Sequence, residues 1–331
     1  MEDFLKLTLD GSEPEIKSGH NKFLEWHWLA EGILQFIPKV AHKKAIILSA
    51  GIHGNETAPI EILNQICSDL IQEKLALKEQ VLVIFGHPAA MRVGQRYLDN
   101  DLNRMFCAEL KSPVDDLENK RALQLEQSVE KFFHQQPHDV SFNHYDLHTA
   151  IRSSLMSTFA LIPFQKHAYD SELFSNLAAA KLDAIVLHSS AGKTFSSYTS
   201  EYFGAHSCTL ELGKAKPFAT NNLSDFKSTD LMLRALICAQ ENNNNLKNKI
   251  RYFKVIDSII KKDDDFKLNV DKTAPNFTLF SKGQIIAEQN SGNYVVNLEK
   301  VWILFPNPEV KKGLRAGLLI DEIHYTNEVF S

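Results

Sequence analysis

An imidazole and a carboxylate share one tight turn in the tract Ser49-Ala50-Gly51-Ile52-His53-Gly54-Asn55-Glu56-Thr57-Ala58-Pro59, with His53 and Glu56 three residues apart. A divalent zinc ion takes N, O or S ligands in roughly tetrahedral array and, when catalytic, keeps one position open for water. The turn supplies half of such a shell, and a third ligand from a distant strand would complete it. The spacing alone is weak, because thirteen histidines in 331 residues make a chance match ordinary, with His53 then a plain loop histidine.

Two later segments offer what the turn lacks. Asp146-Leu147-His148-Thr149-Ala150 closes an apolar run and presents His148 as the third ligand. Asp146 shares its strand face and could accept the second N–H of a ligating imidazole, although a simple hydrogen-bonded pair would look the same. Thr209-Leu210-Glu211-Leu212-Gly213 sets a single carboxylate in a hydrophobic run, where burial is costly unless the group is paired, protonated or beside a metal. As a general base Glu211 would take a proton from water acidified by the metal; the alternative is an outward-facing position on a half-buried strand. Between the turn and these segments lies a polar segment, 95–106, carrying Arg96, Asn103 and Arg104. Arg96 could polarise a carbonyl, and Arg104 with the Asn103 amide could grip a carboxylate, unless the loop is merely solvated.

These groups need a frame. Lys44 to Ala50 reads as a buried strand, and Thr57 to Leu70, with Pro59 near its start and apolar Ile60, Leu63, Ile66, Cys67 and Leu70 at helical spacing, as the helix that follows. The pair then stands outside the carboxyl end of a strand, where open α/β sheets keep ligands. Strands are predicted over 81–85, 142–147, 158–162, 184–187 and 208–212, and helices over 117–133, 171–180 and 225–239. Such alternation predicts an α/β fold, a largely parallel sheet covered by helices on both faces. Residues 1 to about 40 read as short strands or hairpins, turning at Asp10-Gly11 and Glu31-Gly32. The asparagine-rich tract 241–248 is the best linker, dividing a catalytic domain, 1–245, from a C-terminal β domain, 246–331. In the latter, runs at 252–260, 266–270, 277–280, 284–288, 294–298, 301–305 and 317–323 read as short strands of a small all-β sandwich or barrel.

Composition excludes several classes. With 44% apolar residues and 23% charged, the chain is an ordinary globular protein long enough for two domains. A net charge of −5 without a basic stripe argues against nucleic acid as a partner. Cys67, Cys107, Cys208 and Cys238 are widely spaced and form neither a zinc knot nor a disulfide framework, as expected in a reducing cytoplasm. No signal peptide and no apolar stretch of membrane-spanning length is read, so no membrane partner is expected.

As an ordered set, these segments resemble the succinylglutamate desuccinylase and aspartoacylase family of the zinc carboxypeptidase superfamily. Gly51 to Thr57 is similar to the family's metal motif, Asp101-Leu102-Asn103-Arg104 to its substrate motif, Asp146 to Ala150 to the third-ligand strand and Thr209 to Gly213 to the strand of the catalytic glutamate. The likeness continues through Leu304-Phe305-Pro306-Asn307-Pro308 and Gly313-Leu314-Arg315-Ala316-Gly317, which favours the desuccinylase branch over aspartoacylase. The resemblance implies a zinc-carboxypeptidase-like mixed, mostly parallel sheet and one zinc held by His53, Glu56 and His148. It further implies Glu211 as base, Arg96 on the amide carbonyl, and Asn103 with Arg104 on a carboxylate of a small acylamino acid. The reaction implied is hydrolysis of N-succinylglutamate to succinate and glutamate, the last step of the arginine succinyltransferase route. One departure stands out: Glu201 occupies a place where related enzymes carry an arginine. Competing readings are another acylamino acid deacylase, a metallocarboxypeptidase, or a non-catalytic metal- or ligand-binding module.

Overall fold

Along β4 (Lys44–Ala50), Ile46, Leu48 and Ala50 enter one hydrophobic layer and Ala45 and Ile47 another, the period-two alternation of a strand covered on both faces. The computed structural model describes residues 3–106, 116–150, 152–166, 168–241 and 250–324. The expected linker beyond Glu241, and Cys107, lie outside them.

Among the described residues thirteen strands form one sheet, in the order β1 (Ser18–His20), β2 (Leu24–Ala30), β3 (Ile33–Pro38), β5 (Gln80–Phe85), β4, β6 (Ser141–Ala150), β9 (His206–Lys214), β7 (Thr158–Ile162), β8 (Ala184–Leu187), β10 (Arg251–Ile260), β16 (Arg315–Ile323), β15 (Lys300–Leu304) and β12 (Thr278–Ser281). The block β5, β4, β6, β9 is parallel, β7, β8 and β10 are parallel to one another, and the blocks meet antiparallel at β9 and β7. Residues from α1 (Phe4–Asp10), α2 (Thr57–Ile71), α5 (Ser171–Ala179) and α7 (Lys227–Ile237) join one core layer, and those from α4 (Leu117–His134) and α6 (Phe195–Phe203) the other. The expected apolar stripe of α2 is buried throughout, each large side chain contributing roughly 1.5 to 3 kcal/mol. α3 (Pro88–Val93) follows β5.

Two sequence expectations change. Residues 4–10 form a helix rather than a strand: Asp3 caps it by accepting from Lys6 N, Gly11 ends it at φ 65°, and Phe4, Leu7 and Thr8 are buried. Seven residues are too short for helical period to stand out. α6 had no counterpart in the sequence reading, because its aromatic and hydroxyl residues are poor helix formers; Thr194 caps it and Phe195, Tyr198 and Thr199 are buried. The expected C-terminal β region is present and is joined to the main sheet. β10 pairs parallel with β8, so β10, β16, β15 and β12 prolong the main sheet, and Phe253, Phe277 and Trp302 share a core with Phe159 and Val186. A second small core, including Ile259, Phe280 and Ile303, is completed by the three-stranded sheet of β11 (Lys267–Leu268), β13 (Ile285–Glu288) and β14 (Tyr294–Val295).

Candidate active site

Glycine shapes the turn after β4. Gly51 has φ 67°, a left-handed conformation that costs other residues strain. A Cβ on Gly54 would stand 2.3 Å from the backbone of Ala90 and Met91, so only glycine lets the loop rest on α3. The loop thereby turns His53 inward and delivers Glu56 to the N-cap position of α2, where the helix dipole favours a carboxylate. His53, Glu56 and His148 are all buried, and one ligand atom from each lies within 4.8 Å of the others.

β6 is longer than expected, so His148 lies within it, and Glu211 lies within β9 as expected, the two being direct partners. Each histidine gives Nε2 to a carboxylate: His53 to Asp101 Oδ1 at 3.0 Å and His148 to Asp146 Oδ2 at 2.9 Å. Nδ1 of each turns toward Glu56. His148 Nδ1 is 2.9 Å from Oε2, which also accepts from Thr149 N at 2.9 Å. His53 Nδ1 is 2.9 Å from Oε1 but without hydrogen-bond geometry, a buried ring nitrogen with no bonding partner. Four carboxylates, Glu56, Asp101, Asp146 and Glu211, thus surround two imidazoles and Arg96. Two nitrogens and a carboxylate facing inward, with both outer ring nitrogens held by carboxylates, fit a zinc ion.

The two glutamates diverge. Burial would raise the Glu56 carboxyl, but His53 and His148 hold it well below the usual range. Burial pushes the Glu211 carboxyl up to about 7, with His148 opposing the rise and Glu56 adding to it. Its Oε2 is buried with no partner.

Behind the ligands runs a polar chain. Ser49 Oγ donates to Asp146 Oδ1 at 2.6 Å and sits 2.8 Å from His144 Nε2, whose Nδ1 is 2.8 Å from Thr199 Oγ1 of α6. Burial brings the His144 pKa down to about 4, so the ring is neutral. The signal for this chain was present in the sequence: His144, Asp146 and His148 alternate on one strand face. Asp101, too, stood in the quoted motif without being given a role.

The loop carrying Arg96 is tied down by a pair the sequence reading passed over. Glu118 and His87 are fully buried, 3.1 Å apart, and Glu118 also accepts from Leu98 N and Asp99 N. Arg96 Nη1 donates to Glu56 Oε1 at 2.9 Å, and Nη2 is 3.7 Å from Asp101. Asn103 Oδ1 accepts from Phe195 N at 2.9 Å, which leaves the amide NH2 as its donor toward a ligand. Exposed Arg104 bonds the carbonyl of Asn103. Glu201 is exposed in the last turn of α6, six residues or about 9 Å along the axis from the end that meets Asn103. It therefore does not wall the site.

A mixed α/β sheet carrying two histidines and a glutamate that could hold a metal ion, beside an orphaned buried glutamate, is an arrangement suited to hydrolysis. Residues 42–237 match the Succinylglutamate desuccinylase/Aspartoacylase catalytic domain and residues 248–323 the AstE/AspA barrel-sandwich hybrid domain, and the chain belongs to this family. The succinylglutamate desuccinylase of Serratia proteamaculans is 45% identical over 97% of this chain and 98% of its own. The succinylglutamate desuccinylase structure from Vibrio cholerae superposes with a TM-score of 0.92 at 29% identity, covering 99% of this chain and 98% of that one. The Chromobacterium violaceum enzyme gives 0.86 at 35%, covering 98% of each.

Proposed function

We propose that this protein hydrolyses the amide of N-succinyl-L-glutamate to succinate and L-glutamate, with one zinc per chain, as the last step of the arginine succinyltransferase route in the cytoplasm. Near end-to-end similarity to succinylglutamate desuccinylases supports the substrate. No nucleic-acid or membrane partner is needed, and among the described residues no helix is long and apolar enough to cross a membrane.

One observation carries the hydrolytic reading: the unpartnered Glu211 carboxylate beside a complete His–Glu–His set. A non-catalytic metal-binding module has no use for that carboxylate. Zinc held by His53, Glu56 and His148 would supply Lewis acidity to the attacking water and the amide carbonyl. Glu211 takes the proton of the water and returns it to the leaving nitrogen, a role that suits a carboxyl near neutrality. Arg96, at the mouth between Glu56 and Asp101, steadies the charge that develops on the carbonyl oxygen. Asn103 and Arg104 receive a substrate carboxylate. Residues 1–245 carry the chemistry, and the C-terminal β domain walls the active site.

Glu211→Gln tests the assignment, since it preserves shape and removes the base. Zinc content should stay at the wild-type level while kcat falls about 10² to 10⁴-fold. Near-normal turnover in the zinc-loaded variant would remove Glu211 from the chemistry.

A further inference from the structure

One buried oxygen in the first turn of α4 collects donors from two separate stretches of chain. Glu118 Oε1 accepts from Leu98 N at 2.9 Å and Asp99 N at 3.1 Å, and it faces His87 Nε2 at 3.1 Å. Because His87 Nδ1 accepts from Ala90 N, the ring carries its proton on Nε2 and donates to Glu118. The other carboxylate oxygen, Oε2, is buried with no hydrogen-bond partner among the described residues. Burying an ionised group that is only half used is costly, and an apolar side chain would serve packing better. Glu118 is therefore placed for what Oε1 holds.

Its neighbours on α4 grip the same two stretches. Arg121, three residues on and so on the same helix face, donates from Nε to Gly86 O at 2.7 Å and from Nη2 to Phe85 O at 2.8 Å. Asp116, the N-cap, accepts from Asn100 Nδ2 at 2.8 Å. Both stretches lead to the site. Gly86 N donates to Ala50 O and His87 N to Gly51 O, each at 2.8 Å, which fastens the end of β5 to the root of the His53–Glu56 turn. From the other side Gly54 N donates to Arg96 O at 3.1 Å, while the Arg96 guanidinium reaches Glu56 Oε1 at 2.9 Å. Only Tyr97 separates Arg96 from the amides that Glu118 holds.

We infer that Glu118 is a positioning residue for the hydrolysis: with His87 and Arg121 it clamps the Arg96 loop against the His53–Glu56 turn, so that the guanidinium is already in place when the amide carbonyl arrives. This rests on the role proposed above for Arg96. A donor fixed beforehand stabilises developing charge without reorganising at the moment of reaction. Released from Glu118, the two amides lose their acceptor, and the loop gains the freedom to carry Arg96 out of line.

The test compares wild type with Glu118→Leu, Glu118→Asp and Glu118→Gln, each with and without Arg96→Ala. Glu118→Leu removes the acceptor and should lower kcat on N-succinylglutamate roughly 10 to 100-fold, with KM little changed and zinc content at the wild-type level. Glu118→Gln keeps one oxygen for the two amides and should restore most of that loss. Glu118→Asp keeps the charge but withdraws the oxygen by one methylene; its kcat should fall between the two, and it carries the test if Glu118→Leu does not fold. A side chain that acts through Arg96 has little left to lose once Arg96 is gone, so in the Arg96→Ala background Glu118→Leu or Glu118→Asp should cost less than about threefold more. Full multiplication of the two losses would reduce Glu118 to a structural role and overturn the proposal. Hydrogen exchange in the peptide 95–101 reads the loop without turnover: it should quicken in Glu118→Leu and Glu118→Asp and stay near wild type in Glu118→Gln. Quickened exchange in an enzyme whose wild type leaves N-succinylglutamate intact would retire the substrate assignment and keep the clamp. Cleavage by wild type, with exchange and kcat unaltered in Glu118→Leu and Glu118→Asp, would do the reverse.

Discussion

The inner and outer walls of this site are built on opposite plans. The inner wall, His53, Glu56, Asp146 and His148, is buried and cross-bonded, with carboxylates on every side of two imidazoles. The outer wall, at Arg96 and Arg104, is more open, with Arg96 half-buried and Arg104 exposed. A dry, carboxylate-rich nest favours a cation, whereas a solvent-reached cluster of donors favours an anionic ligand. Glu56 and Glu211 show the same contrast within one wall: both are buried, but only Glu56 is bonded to the histidines, and their pKa values move apart. Separated pKa values in adjacent carboxyls are how one site provides both a ligand and a proton carrier.

The contrast can be broken from the inside. His53→Ala removes one of three ligands and should leave the protein without stoichiometric zinc and without measurable turnover; metal analysis by mass spectrometry decides it, and retention of one zinc at wild-type affinity would put the metal elsewhere. Asp146→Asn should do less. The amide keeps an acceptor for His148 but loses the charge that raises the basicity of the ring, so zinc affinity should fall about 10 to 100-fold, read by competition with a chelator. An affinity equal to wild type would reduce Asp146 to a packing partner. Arg104→Lys sharpens the outer wall with the smallest change. Charge remains but the planar fork is lost, and kcat/KM on N-succinylglutamate should drop roughly tenfold with zinc undisturbed. An unchanged kcat/KM would take Arg104 out of the pocket.

Local pattern carried much of this molecule because the inner wall is built from short-range features. The left-handed Gly51, the three-residue spacing of His53 and Glu56, and the alternation of His144, Asp146 and His148 are properties of single segments, readable from residue type and period. A lone carboxylate between Leu210 and Leu212 likewise marked Glu211 before any neighbour was known. The α/β alternation followed from the same hydrophobic periods.

What the sequence could not reach depends on register and chain crossing. Nothing local in Thr194 to Gly204 announced α6, whose helix is secured by burial of Phe195 and Tyr198 rather than by propensity. The turn signals of the C-terminal region predicted its short strands, but not that parallel pairing of β10 with β8 would join them to the main sheet. Segment chemistry determined the His53–Glu56 turn and singled out Glu211, because these signals lie within a few residues or along one strand. Tertiary structure decided which distant segments meet at that turn, because hydrogen-bond register between strands distant in sequence is set by the packing of both sheet faces at once.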